Sequence, residues 1–380
     1  MRIGYVNPEY GARRNIIGCC SECDYIRVRS FKSAFEKIKA KVGLSTLGLS
    51  PYYFCGGFAA DFRKVDLYHF WNNVALWPCK TPYITSFEAE LPRKFVKGAL
   101  FDRAVKSLLS NQCRHLIAFS EYAKNTTLEY ARLHGFSEIS RKISVHLPPQ
   151  ELLCTSKEIN MKVGDFKKRG GVRLVFCGTD FFRKGGSEIV KALLKVRKEF
   201  EVEAFLIGDY EHVDYASSWE VDSADEMRTI FANNEGWLHH YKSMNNQDML
   251  SLAKTCHIGM LPTRHDTFGY SLLEFQACDL PCITTDVCSL PEVNNNEVGW
   301  MIKACESNDE RVGFSTPDKL RGLSRIIESG LVTKLCEALS KPDIIIEKGI
   351  RAIESIAKNH LPEKYGNFLG VLYEKALWSS

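Results

Sequence analysis

The 380-residue sequence predicts two successive doubly wound α/β units, and three observations carry that expectation. Short runs of β-branched and aromatic residues alternate with longer stretches of helical period. The alternation halts at Pro148-Pro149 and restarts at Val172. The length exceeds one typical hydrophobic core and suits two domains of ordinary size.

In the first unit, RIGYV (2–6), VDLYHFW (65–71), TPYITSF (81–87) and HLIAFS (115–120) read as buried strands. FKSAFEKIKAKV (31–42) and PRKFVKGALFDRAVKSLLS (92–110) read as helices between them. Strands alternating with helices imply a parallel sheet covered on both faces. KISVHLPPQ (142–150) ends in a proline pair that stops a regular element, and the polar, basic stretch to about Gly171 reads as a linker. The second unit opens on the strand VRLVFCGT (172–179) and continues with a helix at 186–200 and a strand at 202–208. Residues 209–235 read as an insertion or long loop. GWLHHY (236–241), a helix at 247–256 and strands at 257–263 and 281–287 follow, and 365–378 is helical in period. The expected division is an N-terminal Rossmann-like domain over 1–160, a second over 171–345, and C-terminal helices over 346–380. Ligands bind such sheets at the carboxyl ends of their strands, so two facing units would form a cleft.

Composition narrows the function classes. Hydrophobic residues make up 45% and charged residues 25%, which is globular. A net charge of +4 does not call for nucleic acid, yet it would not repel an anionic ligand or an anionic lipid surface. The 14 cysteines are scattered, and a chain this long buries a core without staples. Reduced thiols in a cytoplasmic setting are expected. Cys20 and Cys23 have Cys-x-x-Cys spacing but no second pair, so free thiols are expected there rather than zinc. The N-terminal run lacks the apolar core of a signal peptide, and no stretch has the apolar length of a membrane span.

The chemistry concentrates in TRHDTFGYSLLEF (263–275). This stretch runs from a strand end through a loop into a helix, and helix starts present N–H groups and a positive dipole end that suit a diphosphate. Gly269 permits close backbone approach; Ser271 caps the helix or donates to a phosphate oxygen. Asp266 and Glu274 offer acceptors for hydroxyl-rich groups on either side. A second strand-to-helix turn, FCGTDFFRKGG (176–186), adds the cations Arg183 and Lys184 beside Gly178, Gly185 and Gly186. Cations preorganised there would stabilise a departing diphosphate.

These residues resemble the retaining glycosyltransferases of the GT-B fold in the "group 1" family, family four. The family's paired acids with seven intervening residues correspond to Asp266 and Glu274, with Phe268-Gly269 between them. The continuation through Pro281, Thr285-Asp286, Pro291-Glu292 and Gly299 is similar, and FFRKGG resembles the family's Lys-Gly diphosphate site. The likeness covers about 172–302 well; in the N-terminal half it is limited to 66–72, 82–93 and 119–124. It implies that Glu274 binds the ribose and Asp266 the transferred sugar. It also implies that Phe268, Gly269, Tyr270 and Ser271, with Arg183 and Lys184, hold the diphosphate, and that Met244 lies beside the base. The last helix would cross back to the first domain. The departures are Asp266 where glutamate is usual, Thr179 in place of an arginine, Asp279 in place of glycine, and Glu88 where the family often has histidine.

Other candidates weigh less. His69 reads as a structural histidine, His265 as solvent-facing, and at most one of His239 and His240 can face a cleft. Glu88 ends a strand and is a candidate catalytic group at the acceptor or reacting centre. No Asp-x-Asp, Walker A, Gly-x-Gly-x-x-Gly or Gly-x-Ser-x-Gly motif occurs. Basic clusters at Lys32–Lys41 and at Arg93, Lys94, Lys97, Arg103 and Lys106 read mainly as solvated helix faces, with peripheral contact to an anionic membrane as the other reading. The resulting expectation is a metal-independent, cofactor-free transfer, with retention, from a nucleotide sugar to a glycan or lipid-linked acceptor. A non-catalytic nucleotide-sugar binder, and an epimerase or phosphorylase on the same fold, are the alternatives.

Overall fold

The structure is a computed structural model that describes residues 1–6, 10–28, 65–76, 80–94, 96–169, 171–304 and 313–378. It divides into two compact units, residues 1–149 with 360–380 and residues 150–359.

Among the described residues, the first unit holds six parallel strands in the order β2-β1-β3-β4-β5-β6. They are β1 (Arg2–Tyr5), β2 (Asp24–Arg27), β3 (Leu67–Trp71), β4 (Tyr83–Phe87), β5 (Cys113–Ala118) and β6 (Ile143–Val145). Strand β4 is buried along its whole length, as an inner strand of a parallel sheet must be. Helix α1 (Tyr10–Asn15) precedes β2, which the sequence reading missed. The expected helix at 92–110 shortens to α2 (Ala99–Leu109), because Pro92 lies before it and Gly98 enters with φ 59°. Phe101 of α2 packs edge-on against Tyr130, His134 and Phe136, so its apolar side is turned into the unit. Helix α3 (Glu121–Leu133) starts at Ser120, whose hydroxyl accepts from the Ala123 N–H at 3.0 Å. The stretch 31–42 lies outside the described residues.

His69 is structural, as expected. It is 1% exposed, and its ring nitrogens meet Tyr373 Oη at 2.8 Å and Ser86 Oγ at 2.7 Å. Burial lowers its pKa to about 3, so the ring is neutral. The Cys20 and Cys23 sulfurs lie 3.4 Å apart as free thiols.

The second unit has the strand order β12-β11-β10-β7-β8-β9, all parallel. The strands are β7 (Val172–Asp180), β8 (Val202–Asp209), β9 (Leu238–Tyr241), β10 (Ile258–Leu261), β11 (Cys282–Thr285) and β12 (Trp300–Ile302). The chain leaves β7 toward β8 and β9 and returns to the other side of β7 with β10. A doubly wound sheet therefore has its topological switch point between β7 and β10, where ligands bind. The helices are α4 (Ser156–Arg169), α5 (Gly186–Val196), α6 (Ala224–Asn233), α7 (Asn246–Ala253), α8 (Tyr270–Ala277), α9 (Leu290–Val293), α10 (Pro317–Ser340) and α11 (Pro342–Asn359); α12 (Pro362–Trp378) belongs to the first unit.

Two expected boundaries move. The stretch expected to be a linker contains α4, begun by a reciprocal cap. Glu158 accepts from the Thr155 N–H at 2.8 Å, and Thr155 Oγ1 accepts from the Glu158 N–H at 3.3 Å. Lys162 of α4 donates to the carbonyls of Cys278 and Asp279, each at 2.9 Å, so the helix is part of the second unit. Residues 346–359 also remain there, since Lys348 of α11 donates to the Asn296 carbonyl. The return to the first unit comes at His360, whose Nδ1 donates to the Pro148 carbonyl at 2.8 Å. Asp279 adopts φ 61°, the backbone region expected of a residue standing where glycine is usual. No described helix is long and apolar enough to cross a membrane.

Candidate functional site

Two loops leave the carboxyl ends of the neighbouring strands β7 and β10, and they carry Arg183 and Lys184 on one side and Asp266, Phe268 and Gly269 on the other. After β7 the chain turns through Phe181–Gly185. Gly185 has φ 88°, and a Cβ on it would stand 2.3 Å from the Pro262 carbonyl oxygen. Only glycine lets the two loops approach this closely. Gly178 lies beneath the next side chain, since a Cβ there would be 2.7 Å from Lys184 Cγ. The loops are also stitched by backbone, with the Arg264 N–H donating to the Arg183 carbonyl at 2.8 Å.

This stitching brings Lys184 to Asp266. The ammonium and carboxylate form a direct ion pair, with the side chains 16% and 10% exposed. Burial pushes the Asp266 carboxyl up, but the charges of Lys184 and Arg183, with His265, more than offset it and hold the pKa below the ordinary range. The acid is therefore ionised at neutral pH.

Arg183 is engaged differently. Its guanidinium donates to Asp214 at 2.5 Å, to the His265 carbonyl at 2.9 Å and to Asp180. Asp214 belongs to the loop between β8 and α6, which the sequence reading left without a role. That loop also meets the buried Arg264. The Arg264 guanidinium donates to Glu188 at 2.7 and 2.9 Å, to Asp222 at 2.7 and 2.8 Å, and to the Ala216 carbonyl at 3.3 Å. All three charged side chains are essentially inaccessible to water. A buried guanidinium satisfied this fully fixes the backbone on both sides of it. His265 is 4% exposed and its Nδ1 lies 2.9 Å from Tyr215 Oη, so it is buried, contrary to the solvent-facing expectation.

Helix α8 follows the second loop. Gly269 is its N-cap, with φ 77° and no side-chain cap, so Ser271 does not cap the helix. A helix start of this kind leaves first-turn N–H groups without intrahelical acceptors. Phe268 is 1% exposed, with its ring centroid 5.3 Å from that of Tyr270. Ser289 Oγ donates to the Thr267 carbonyl at 2.7 Å, which braces the loop from below. Glu274 is 6% exposed and accepts from Asn246 Nδ2 at 3.2 Å. Asn246 opens α7, and the half-buried Met244 lies two residues before it. The structure thus gathers Gly178, Arg183, Lys184, Asp266, Phe268, Gly269, Tyr270 and Ser271 around the two loops, and ties Glu274 to the start of α7 through Asn246.

Glu88 lies in the first unit, where its carboxylate accepts from Asn72 Nδ2 at 3.2 Å. His239 and His240 serve the second unit's packing. His239 stacks on Phe205 with centroids 4.8 Å apart, and His240 Nε2 donates to the Gly208 carbonyl at 2.8 Å. Asn246, Asp214, Tyr215, Asp222 and Arg264 were not singled out from sequence. Their partners lie far along the chain, and no local pattern marks them.

Residues 159–312 match the family model described as glycosyl transferases group 1. No curated protein matches the chain by sequence. Among solved structures, a glycosyltransferase from Rickettsia africae is similar over 100% of this chain and 99% of its own, with TM-score 0.62 and 15% identity. Anabaena HepE in complex with UDP is similar over 99% and 100%, with TM-score 0.61 and 12% identity. A sucrose-phosphate synthase from Thermosynechococcus elongatus is similar over 100% and 89%, with TM-score 0.58 and 13% identity. At these identities the structures speak for the fold, and the family match speaks for the second unit. Together they identify the chain as a glycosyltransferase that matches the group 1 family over residues 159–312 and whose two parallel sheets are those of the GT-B fold.

Proposed function

We propose that this transferase moves a sugar from a nucleoside-diphosphate sugar to a glycan or lipid-linked acceptor, with retained anomeric configuration and without a metal ion. The observation that carries the reading is the Lys184–Asp266 pair at the carboxyl ends of β7 and β10, beside the start of α8. The first-turn N–H groups of α8 and the Lys184 ammonium would receive the diphosphate. Asp266, ionised, would accept from hydroxyls of the transferred sugar. Glu274, four residues into α8, would accept from the ribose. Anabaena HepE, solved with UDP, makes uridine the first base to test.

As the sugar–phosphate bond breaks, charge grows on the leaving diphosphate. Lys184, held by its pair with Asp266, would stabilise that charge. Arg183 is assigned to a different task, because Asp180, Asp214 and the His265 carbonyl occupy its guanidinium. It holds the Asp214 loop against the Lys184 turn and adds positive potential from behind. Glu88 stays a candidate for the acceptor side.

Free thiols such as Cys256 and Cys282 suit the reducing cytoplasm. The exposed Lys94, Lys97 and Lys106 suit peripheral contact with anionic lipid.

The test is release of free nucleoside diphosphate from a panel of nucleotide sugars with purified enzyme. Lys184→Ala and Glu274→Ala should each lower the rate by about tenfold or more while the melting temperature holds, the size expected on losing one charge-stabilising contact. Near-full rates in both variants would overturn the assignment.

A further inference from the structure

Residues 210–223 form a surface loop that is held unusually firmly. One site arginine, Arg183, binds it at Asp214; another, Arg264, binds it at Ala216 and Asp222. Between these anchors sits Tyr215. Its hydroxyl lies 2.9 Å from His265 Nδ1. The Arg183 guanidinium carbon is 5.4 Å from its ring centroid, and Phe314 meets it edge-on at 6.1 Å. The side chain is fixed at its tip, on a face and at an edge, yet the residue is 62% exposed. Core packing does not account for a ring so immobilised and so open. A preorganised aromatic surface is what a ligand's apolar face needs, because little rotamer freedom remains to be lost on contact.

The ring's position says which part of a ligand it would meet. His265, its hydrogen-bond partner, directly precedes Asp266, and Arg183, which lies over the ring, also donates to the His265 carbonyl. A pyranose has a C–H-rich face and a rim of hydroxyls. Asp266 can accept from the rim while an aromatic ring covers the face. We propose that Tyr215 is a specificity-determining residue that stacks on the transferred sugar of the donor. This rests on the donor-site reading above and goes further by naming what distinguishes the bound sugar from bare nucleotide.

The experiment compares wild type, Tyr215→Ala and Tyr215→Phe by calorimetric titration. The probes are UDP, GDP and ADP, and their glucose, galactose, mannose and N-acetylglucosamine conjugates. For the best-bound conjugate, the affinity gained over the bare nucleotide should fall by about fivefold or more in Tyr215→Ala, the scale of one aromatic contact. Affinity for the bare nucleotide should hold, and Tyr215→Phe should keep most of the gain. An unchanged gain in Tyr215→Ala overturns the proposal. Equal loss for nucleotide and conjugate also overturns it, since that marks collapse of the loop. A sugar that adds nothing in wild type overturns it while the donor-site reading stands. No binding of any nucleotide by wild type overturns both.

Discussion

Arg264 shows how one residue sets the site without touching a ligand. It lies two residues before Asp266, and its side chain bridges Glu188 at the start of α5 and Asp222 in the β8–α6 loop. Removing the guanidinium would strand two carboxylates away from water. Arg264→Met should therefore destabilise the second unit by about 3–5 kcal/mol, the usual cost of breaking a buried pair from one side. Urea denaturation measures this, and a loss below about 1 kcal/mol would show that the network is not what holds the loops. The sequence hid this residue for a physical reason. Arg264 is 76 positions from Glu188 and 42 from Asp222, and such pairings leave no local signature. Lys184, Asp266 and Glu274 are candidates from sequence because each sits at a fixed offset from a strand end or helix start and falls in a stretch that resembles the family's motifs. Their local chemistry was readable, but the direct pairing of Lys184 with Asp266 was not.

At the scale of elements, the β7–α5 turn determines where Lys184 points. Gly185 holds φ 88° against the Pro262 carbonyl, so Gly185→Ala meets both backbone strain and a clash with backbone that has no flexible end to yield. The variant should lose about 1–3 kcal/mol of stability and, because its neighbour Lys184 shifts, nucleotide affinity as well. Denaturation and nucleotide titration on the same preparation check this; wild-type values in both would contradict it. The buried strands β3, β4, β5, β7, β8 and β10 were readable because two-sided burial demands continuous apolar runs. Strand β2, with Asp24 and Arg27 at its ends, lacks such a run. The polar, basic sequence of α4 reads as a linker; the Thr155–Glu158 cap and Lys162's hold on the end of α8 make it helical and part of the second unit. Helix α3 shows in the sequence only through its cap residue, Ser120.

On the scale of the whole molecule, alternation alone predicts two doubly wound units; the first crossing, expected between about 160 and 171, falls at 149–150, just after the proline pair. The second crossing, at His360, was placed too early because α11 and α12 have similar helical periods and only their packing assigns them to different units. The strand order of the second unit puts the switch point between β7 and β10, the strands from which the Lys184 and Asp266 loops leave. The proposed function makes this point a nucleoside-diphosphate site. Its most direct test is the melting temperature of wild type and Glu274→Ala with UDP, GDP and ADP. At least one nucleotide should raise the wild-type melting temperature in a concentration-dependent way, and Glu274→Ala should need about tenfold more of it for the same shift. Equal shifts in both proteins, or no shift with any nucleotide, would contradict it.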